Sequence, residues 1–195
     1  GEGAAQMKKA VFAAAALAAA LPAAQAQAQL PIPLSVEGRL DYAVPTGEFD
    51  DQIGENGIGV GAGVSLGLRP GLGVYGTYSN TRFGGGLFDD EEPEAKDAGF
   101  SVGLTAALPG AGGLAPWIGA GAVFHTLEIN GSEAGIDEDV GFEVGGGIAV
   151  PITPNMRLTP GAGYRRYGVD IQRPLVDLEM DVSYFTAGVG LNISF

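Results

Sequence analysis

Eight segments of this sequence alternate between apolar residues and small or polar residues with a period of two. In the last segment, the odd positions from residue 185 carry Phe, Ala, Val, Leu, Ile and Phe, and the even positions carry Thr, Gly, Gly, Asn and Ser. This period is typical of a strand with one apolar face. The eight segments are residues 34–44, 57–69, 71–83, 98–108, 116–127, 141–152, 156–168 and 181–195.

The connections between these segments alternate in length. The long ones read PTGEFDDQIGEN, GGGLFDDEEPEAKD, EINGSEAGIDED and VDIQRPLVDLEM, and the short ones read RPG, PGAGGLA and TPN. Tilted strands of about nine to eleven residues, with long loops at one end and tight turns at the other, are typical of an outer-membrane barrel. The sequence therefore predicts an all-β, eight-stranded, antiparallel up-and-down transmembrane β-barrel over residues 30–195.

The two faces of the predicted strands differ in polarity. The residues on the outward face are almost wholly apolar, as contact with lipid requires. The inward face carries glycine, serine, threonine and six charged residues, which we expect to form a polar network in the lumen: Glu37, Arg39, Asp41, Glu143, Arg157 and Arg165. A soluble lipocalin-like periplasmic carrier would require the reverse arrangement of the faces.

The N-terminal region is typical of an exported protein. Residues 7–28, MKKAVFAAAALAAALPAAQAQA, combine two lysines, an apolar stretch and small residues in Ala-x-Ala spacing, as a cleavable signal peptide does. Cleavage after Ala26 or Ala28 fits this spacing. We interpret residues 1–6 as upstream or expression-derived sequence, and we expect the mature chain to lie in the bacterial outer membrane.

The final segment places an aromatic residue at position 195. We expect the last strand to pair with the first, which removes the sheet edges that lipid cannot satisfy. The segment YAVPTGEF after the first strand and the final GLNISF resemble the small OmpA/OmpX-type outer-membrane β-barrel domains. This resemblance implies that Phe185 and Phe195 belong to an aromatic girdle and that the C-terminal strand is a signal for the outer-membrane assembly machinery.

Acidic residues dominate the charge of the chain. Of its 23 acidic and 10 basic residues, only Glu2, Lys8 and Lys9 precede the predicted cleavage site, and the strongly negative remainder argues against nucleic acid as a partner. Divalent cations prefer clustered carboxylates, so a possible cation-binding loop is Asp89, Asp90, Glu91 and Glu92. This loop lacks the spacing of a dedicated calcium loop, and we interpret it as a solvated charge run, with no metal or cofactor expected.

The single histidine, His125, raises the possibility of catalysis. A lipid A-modifying enzyme needs a serine nucleophile aligned with a histidine and an acid, but no serine follows His125 in a His-x-Ser arrangement. We therefore predict a non-enzymatic protein with a structural or adhesive role that displays four acidic extracellular loops. Its expected partners are outer-membrane lipid, lipopolysaccharide and an extracellular ligand of unknown identity. A narrow pore and a lipid A-modifying barrel are the alternatives.

Overall fold

The eight alternating segments form eight antiparallel strands of one closed sheet. A computed structural model describes residues 33–84, 94–129, 132–133, 140–173 and 176–195. The barrel strands are β1 (Leu34–Pro45), β2 (Gly57–Arg69), β3 (Leu72–Phe83), β4 (Ala95–Ala107), β5 (Ala115–Ile129), β7 (Gly141–Thr153), β8 (Met156–Arg173) and β9 (Val176–Ser194). Between β1 and β2 lies a helix, α1 (Glu48–Ile53), and a two-residue strand, β6 (Ser132–Glu133), pairs with the end of β5.

The ring is closed by its first and last strands. β9 pairs with β1 from Ser35↔Ser194 to Pro45↔Tyr184, and the Phe195 amide donates to the Leu34 carbonyl oxygen at 2.9 Å. The other barrel strands pair with their neighbours in chain order. The predicted eight-stranded up-and-down barrel is therefore confirmed.

The outer surface of the barrel is an apolar belt. Large apolar side chains on every barrel strand are well exposed, with Phe100 at 64% and Val64 at 53%. Aromatic side chains gather near one end, where the rings of Tyr164 and Phe185 lie 4.9 Å apart. These faces are the reverse of those in a soluble carrier, so that alternative is wrong.

The two ends of the barrel differ. At the turn end, Pro70 and Gly71 form the tight link from β2 to β3, and Gly71 adopts a φ of 77° that a type II turn requires. The opposite end, which carries α1 and the longer connections, is called the loop end below. Phe195 lies at the turn end beside the start of β1, and Phe185 lies towards the loop end.

The fourth long connection departs from its predicted form. Strands β8 and β9 continue beyond the barrel as a hairpin that remains paired as far as Arg173↔Val176, so most of the predicted loop is strand. The ladder continues because Val169, Ile171, Val176 and Leu178 maintain a period-two pattern of strand-forming residues. The prediction of a loop there was wrong.

Some sequence-based predictions lie outside the described residues. The predicted signal peptide, residues 7–28, is one, and the possible cation-binding loop of Asp89, Asp90, Glu91 and Glu92 is another. Within the described ranges, no helix is long and apolar enough to cross a membrane.

The apolar belt predicts that an arginine introduced on the outer surface lowers stability more at the middle of the membrane than near its edge. Val189 pairs with Leu40 midway along β1, whereas Val44 lies near the loop end, and both valines are exposed. Val189→Arg should lower the free energy of unfolding in lipid by about 2–4 kcal/mol, and Val44→Arg by about 0–1 kcal/mol. Denaturant titration in liposomes measures both values, and equal costs at the two depths would contradict the placement of the belt.

Candidate functional site

An apolar plug closes the barrel at its loop end. Phe49 and Ile53 of α1 are buried there against Phe83 and Tyr184. The Phe49 and Phe83 rings meet edge to face with centroids 5.0 Å apart, and the Phe83 and Tyr184 centroids are separated by 5.4 Å. The plug therefore fills the interior just below the loop-end surface.

Local sequence explains how α1 covers this end. Gly47 and Gly54 bracket the helix with φ values of 61° and 63°, conformations that favour glycine. The Thr46 amide donates to the Ser183 carbonyl oxygen at 2.9 Å, which ties the start of the helix to β9. Spacing of four residues then points Phe49 and Ile53 into the barrel, while Asp50 and Asp51 remain exposed.

A polar layer lies below the plug and is centred on an ion pair. Arg165 donates through Nη2 to Glu143 Oε2 at 2.7 Å, and the side chains of both residues are largely buried. Glu143 also accepts from the Tyr75 hydroxyl at 2.7 Å and from the Ser101 hydroxyl at 3.0 Å. Charges removed from water require such partners, so this pair lowers the cost of its own burial.

The second part of the polar layer surrounds the single histidine. His125 Nδ1 lies 2.7 Å from Asp97 Oδ1, and both side chains are fully buried. The Tyr184 hydroxyl donates to Asp97 Oδ2, and Arg165 Nη1 donates to Tyr184 at 2.8 Å and to Ser79 at 3.1 Å. Arg165 therefore links the two parts of the layer.

Glycines provide the space that this layer needs. A Cβ added to Gly103 or Gly121 would lie within 2.7 Å of the Tyr75 hydroxyl oxygen. Tyr75 reaches Glu143 by crossing these two glycines on β4 and β5. The glycine-rich inner face thus allows large polar side chains to span an eight-stranded barrel, whose interior is otherwise just wide enough for side chains.

A second ion-pair group lies on the turn-end side of this layer. Arg39 donates to Asp41 at 2.9 Å and lies 3.5 Å from Glu37. Thr159 on β8 donates to the other oxygen of Glu37 at 3.0 Å. The structure brings together Glu37, Arg39 and Asp41, all predicted from inward parity.

A cavity of about 820 Å³ extends from the polar layer to the turn end. Its wall includes Ser79, Tyr75, Arg39 and Arg165, together with Trp117 of β5. Arg157 also lines the cavity, but it is exposed and takes no part in the ion pairs found among the described residues. Arg157 therefore lies on the inner face, as its parity predicts, beside the β7–β8 turn, and its part in the lumen network stays a prediction.

Sequence analysis missed two members of the polar layer. Asp97 had been counted with the acidic second connection, although β4 begins at Ala95 and its inward parity includes residues 95, 97, 99 and 101. Tyr184 lies in the last segment, 181–195, and shares the inward parity of Thr186, but it was not among the charged residues expected in the lumen network. Extending the fourth alternation by two residues towards the loop end reveals Asp97, and including uncharged polar side chains of inward parity reveals Tyr184.

The described part of the chain contains no cluster of three or more acidic or histidine residues arranged to hold a metal ion. The six inward charges and His125 act on one another, through ion pairs and hydrogen bonds, or face the cavity. The lumen as described is a polar layer between an apolar plug and a solvent-accessible cavity.

A known protein family matches most of this chain. Residues 11–195 match the family described as "Outer membrane protein beta-barrel domain". A comparison with curated proteins gives no match.

Several solved structures share this fold. Neisserial surface protein A (NspA) has a TM-score of 0.61 at 15% identity, covering 84% of this chain and 97% of its own. The outer membrane protein OprG from Pseudomonas aeruginosa has a TM-score of 0.52 at 14% identity, with 84% and 95% covered. The N-terminal barrel domain of OprF from the same species has a TM-score of 0.50 at 16% identity, with 83% and 97% covered. At these identities the similarity is one of fold.

The buried ion pair predicts a large loss of stability on truncation of one partner. Arg165→Met leaves Glu143 buried without its cation and should lower the free energy of unfolding by about 3–5 kcal/mol. The matched control is Arg166→Met, which removes the half-exposed pair with Asp181 and should cost far less, because exposed ion pairs are screened by solvent. Denaturant titration compares the two variants, and equal losses would contradict the role assigned to the polar layer.

The apolar plug predicts low conductance that a cavity in the plug would raise. Phe49→Ala removes the ring that packs on Phe83 and Tyr184, whereas Gln52→Ala alters an exposed position on the same helix. In planar bilayers, we expect Phe49→Ala to produce more frequent openings than the unaltered protein and Gln52→Ala to match it. Steady conductance through the unaltered protein would show that the plug does not seal the barrel.

Proposed function

The chain belongs to the outer-membrane β-barrel domain family, and from that premise we propose that it is a structural and adhesive protein of the bacterial cell surface. Its barrel is the anchor in the outer membrane. In this proposal the loop end faces outward and presents an acidic surface to cationic partners.

The observation that carries this proposal is the two-sided character of α1. The helix directs Phe49 and Ile53 into the barrel, while Glu48, Asp50 and Asp51 stay exposed on its outer side. The lid of the barrel is therefore also an acidic surface. In the sequence the other long connections add further carboxylates, and the short turns carry none.

The interior supports a structural role. A paired polar layer and an apolar plug stabilise the barrel from within, and the closed β1–β9 seam satisfies the backbone in lipid. Such a barrel holds its surface in a fixed place without needing conformational change. Binding then depends on charge and on access to the loop end.

The rim of the barrel supports contact with the lipid headgroups. Arg166 on β8 is level with Phe142 near the loop-end margin of β7, where it is exposed and paired with Asp181 at 2.7 Å. Arginine at this depth suits the phosphates of lipopolysaccharide. At the turn end, we propose that Phe195 and the apolar face of β9 engage the assembly machinery during insertion.

Neutralising α1 should weaken binding of a cationic probe. The test uses the barrel in nanodiscs of zwitterionic lipid and a fluorescent decalysine peptide as the probe. Replacing Glu48 with Gln, and Asp50 and Asp51 with Asn, should raise Kd by about tenfold, since these three exposed charges contribute about 0.2–1 kcal/mol each. Fluorescence anisotropy at low and at physiological salt measures the change.

The control is Gln52→Ala, which alters α1 without altering its charge. Its Kd should equal that of the unaltered protein. Raising the salt should weaken binding of the unaltered protein more than binding of the neutralised variant, because exposed charges are screened. An unchanged Kd in the neutralised variant would overturn the acidic adhesive surface while leaving the barrel assignment intact.

A further inference from the structure

Three side chains on neighbouring strands form a row inside the barrel. Ser79 on β3 is level with Gly99 on β4, and Gly99 is level with His125 on β5. Asp97 is the next inward residue on β4. The row therefore places a hydroxyl, an imidazole and a carboxylate side by side, although 46 residues separate Ser79 from His125 in the chain.

Gly99 permits this approach. A Cβ at position 99 would lie 2.6 Å from His125 Cα and 2.7 Å from His125 Cδ2. Because β4 presents no side chain at this level, the imidazole lies over it towards β3, where His125 Nε2 is 3.4 Å from Ser79 Oγ. A larger residue at 99 would separate the histidine from the serine.

The hydrogen bonds select one tautomer of the histidine. Asp97 is a buried carboxylate that accepts from His125 Nδ1 at 2.7 Å and from the Tyr184 hydroxyl. With its Nδ1 proton donated to Asp97, the neutral ring presents Nε2 as an acceptor to Ser79. Ser79 Oγ accepts from Arg165 Nη1 at 3.1 Å, which leaves its own proton free to point at Nε2.

Ser79 can be reached from the cavity, whereas His125 and Asp97 cannot. Ser79 and Arg165 line the cavity of about 820 Å³, so a small molecule entering from the turn end can reach them. The side chains of His125 and Asp97 are fully buried behind Ser79. A half-buried hydroxyl that lines a cavity and is backed by a buried histidine and a buried carboxylate is the arrangement that activates a serine nucleophile.

We propose that Ser79, His125 and Asp97 form a serine hydrolase site that cleaves small carboxylic esters within the barrel. This departs from the expectation, drawn from the sequence, of a non-enzymatic protein. The substrate class follows from position: Ser79 faces the lumen rather than the lipid, and a cavity of this size suits a short-chain ester. The site is independent of the acidic loop-end surface.

The chemistry balances with water as the co-reactant. Ser79 Oγ attacks the ester carbonyl carbon, and its proton passes to His125 Nε2. The carbonyl oxygen becomes an oxyanion, for which the Arg165 guanidinium is the nearby cation. The intermediate collapses, and the alcohol leaves with the proton from His125. Water then attacks acyl-Ser79 with His125 as base, which releases the carboxylic acid and restores the serine.

Two probes test the site in the folded barrel. Diisopropyl fluorophosphate should form one adduct, in which Ser79 Oγ bonds to phosphorus and fluoride leaves, and peptide mass spectrometry locates it. The second probe is p-nitrophenyl acetate, whose hydrolysis should fall at least about tenfold in Ser79→Ala and in His125→Ala, since general-base catalysis contributes about 10²–10⁴-fold. A gel band that shifts on boiling verifies folding of each variant.

Asp97 is a positioning residue and needs a different readout. Asp97→Asn should lower kcat for p-nitrophenyl acetate and alter its pH profile, with KM unchanged, because the histidine loses its orienting carboxylate. The matched control is Ser65→Ala, which removes a serine that also lines the cavity but bonds only to Ser35 among the described side chains. Ser65→Ala should label and hydrolyse like the unaltered protein.

The outcomes decide the proposal even where a variant fails to fold. Labelling of Ser79 in the unaltered barrel, lost in denaturant, supports it. Absence of an adduct at saturating reagent overturns it, as does hydrolysis by folded Ser79→Ala at the unaltered rate. Either of those results would leave the buried row as a purely structural network.

Discussion

Hydrogen bonding between β1 and β9 is the interaction on which the barrel depends. In hydrocarbon, each unsatisfied backbone group costs several kcal/mol, so a sheet with two open edges cannot remain there. The seam runs from Ser35↔Ser194 to Pro45↔Tyr184 and ends with the Phe195 amide on Leu34. Once it forms, alternate residues of every strand must face lipid and the rest must face inward. The apolar belt and the crowded polar lumen both follow.

Enclosing alternate residues creates the main energetic problem of the fold. The polar layer removes charged side chains from water, and it contains Glu143, Arg165 and Asp97. Ion pairs and hydrogen bonds between strands offset the cost of removing these charges from water. Glycine occupies the positions where a long side chain crosses a neighbouring strand. Tyr75 over Gly103 and His125 over Gly99 are two examples of the same solution. The buried polar side chains can reach their hydrogen-bond partners only because glycines leave the space they cross. The hydrogen-bonded lumen and the high glycine content are therefore parts of the same solution.

Much of the fold could be predicted from the sequence, because period two is a local property that each strand displays by itself. The number and order of the barrel strands, the apolar outward face and the inward placement of the charged residues follow parity, whereas β4, β8 and β9 extend further towards the loop end than the alternation indicated. Contacts between strands were beyond that reasoning, since they depend on register. Nothing local relates Ser79 to His125, or Tyr184 to Asp97, which are 87 residues apart. The helix α1 was also missed, because six residues are too few to show helical periodicity.

The position of the plug makes the two ends of the barrel chemically different, although the up-and-down topology is the same along the whole sheet. The apolar plug lies at the loop end, and the cavity reaches the turn end. The cavity wall is therefore in contact with the compartment next to the turns, whereas the outer surface of α1 is in contact with the compartment on the other side. Ionic strength and solute composition on the turn side act on the charges of the cavity, and those on the loop side act on the carboxylates of α1. A single small barrel thus presents two different polar surfaces, with a few aromatic rings between them.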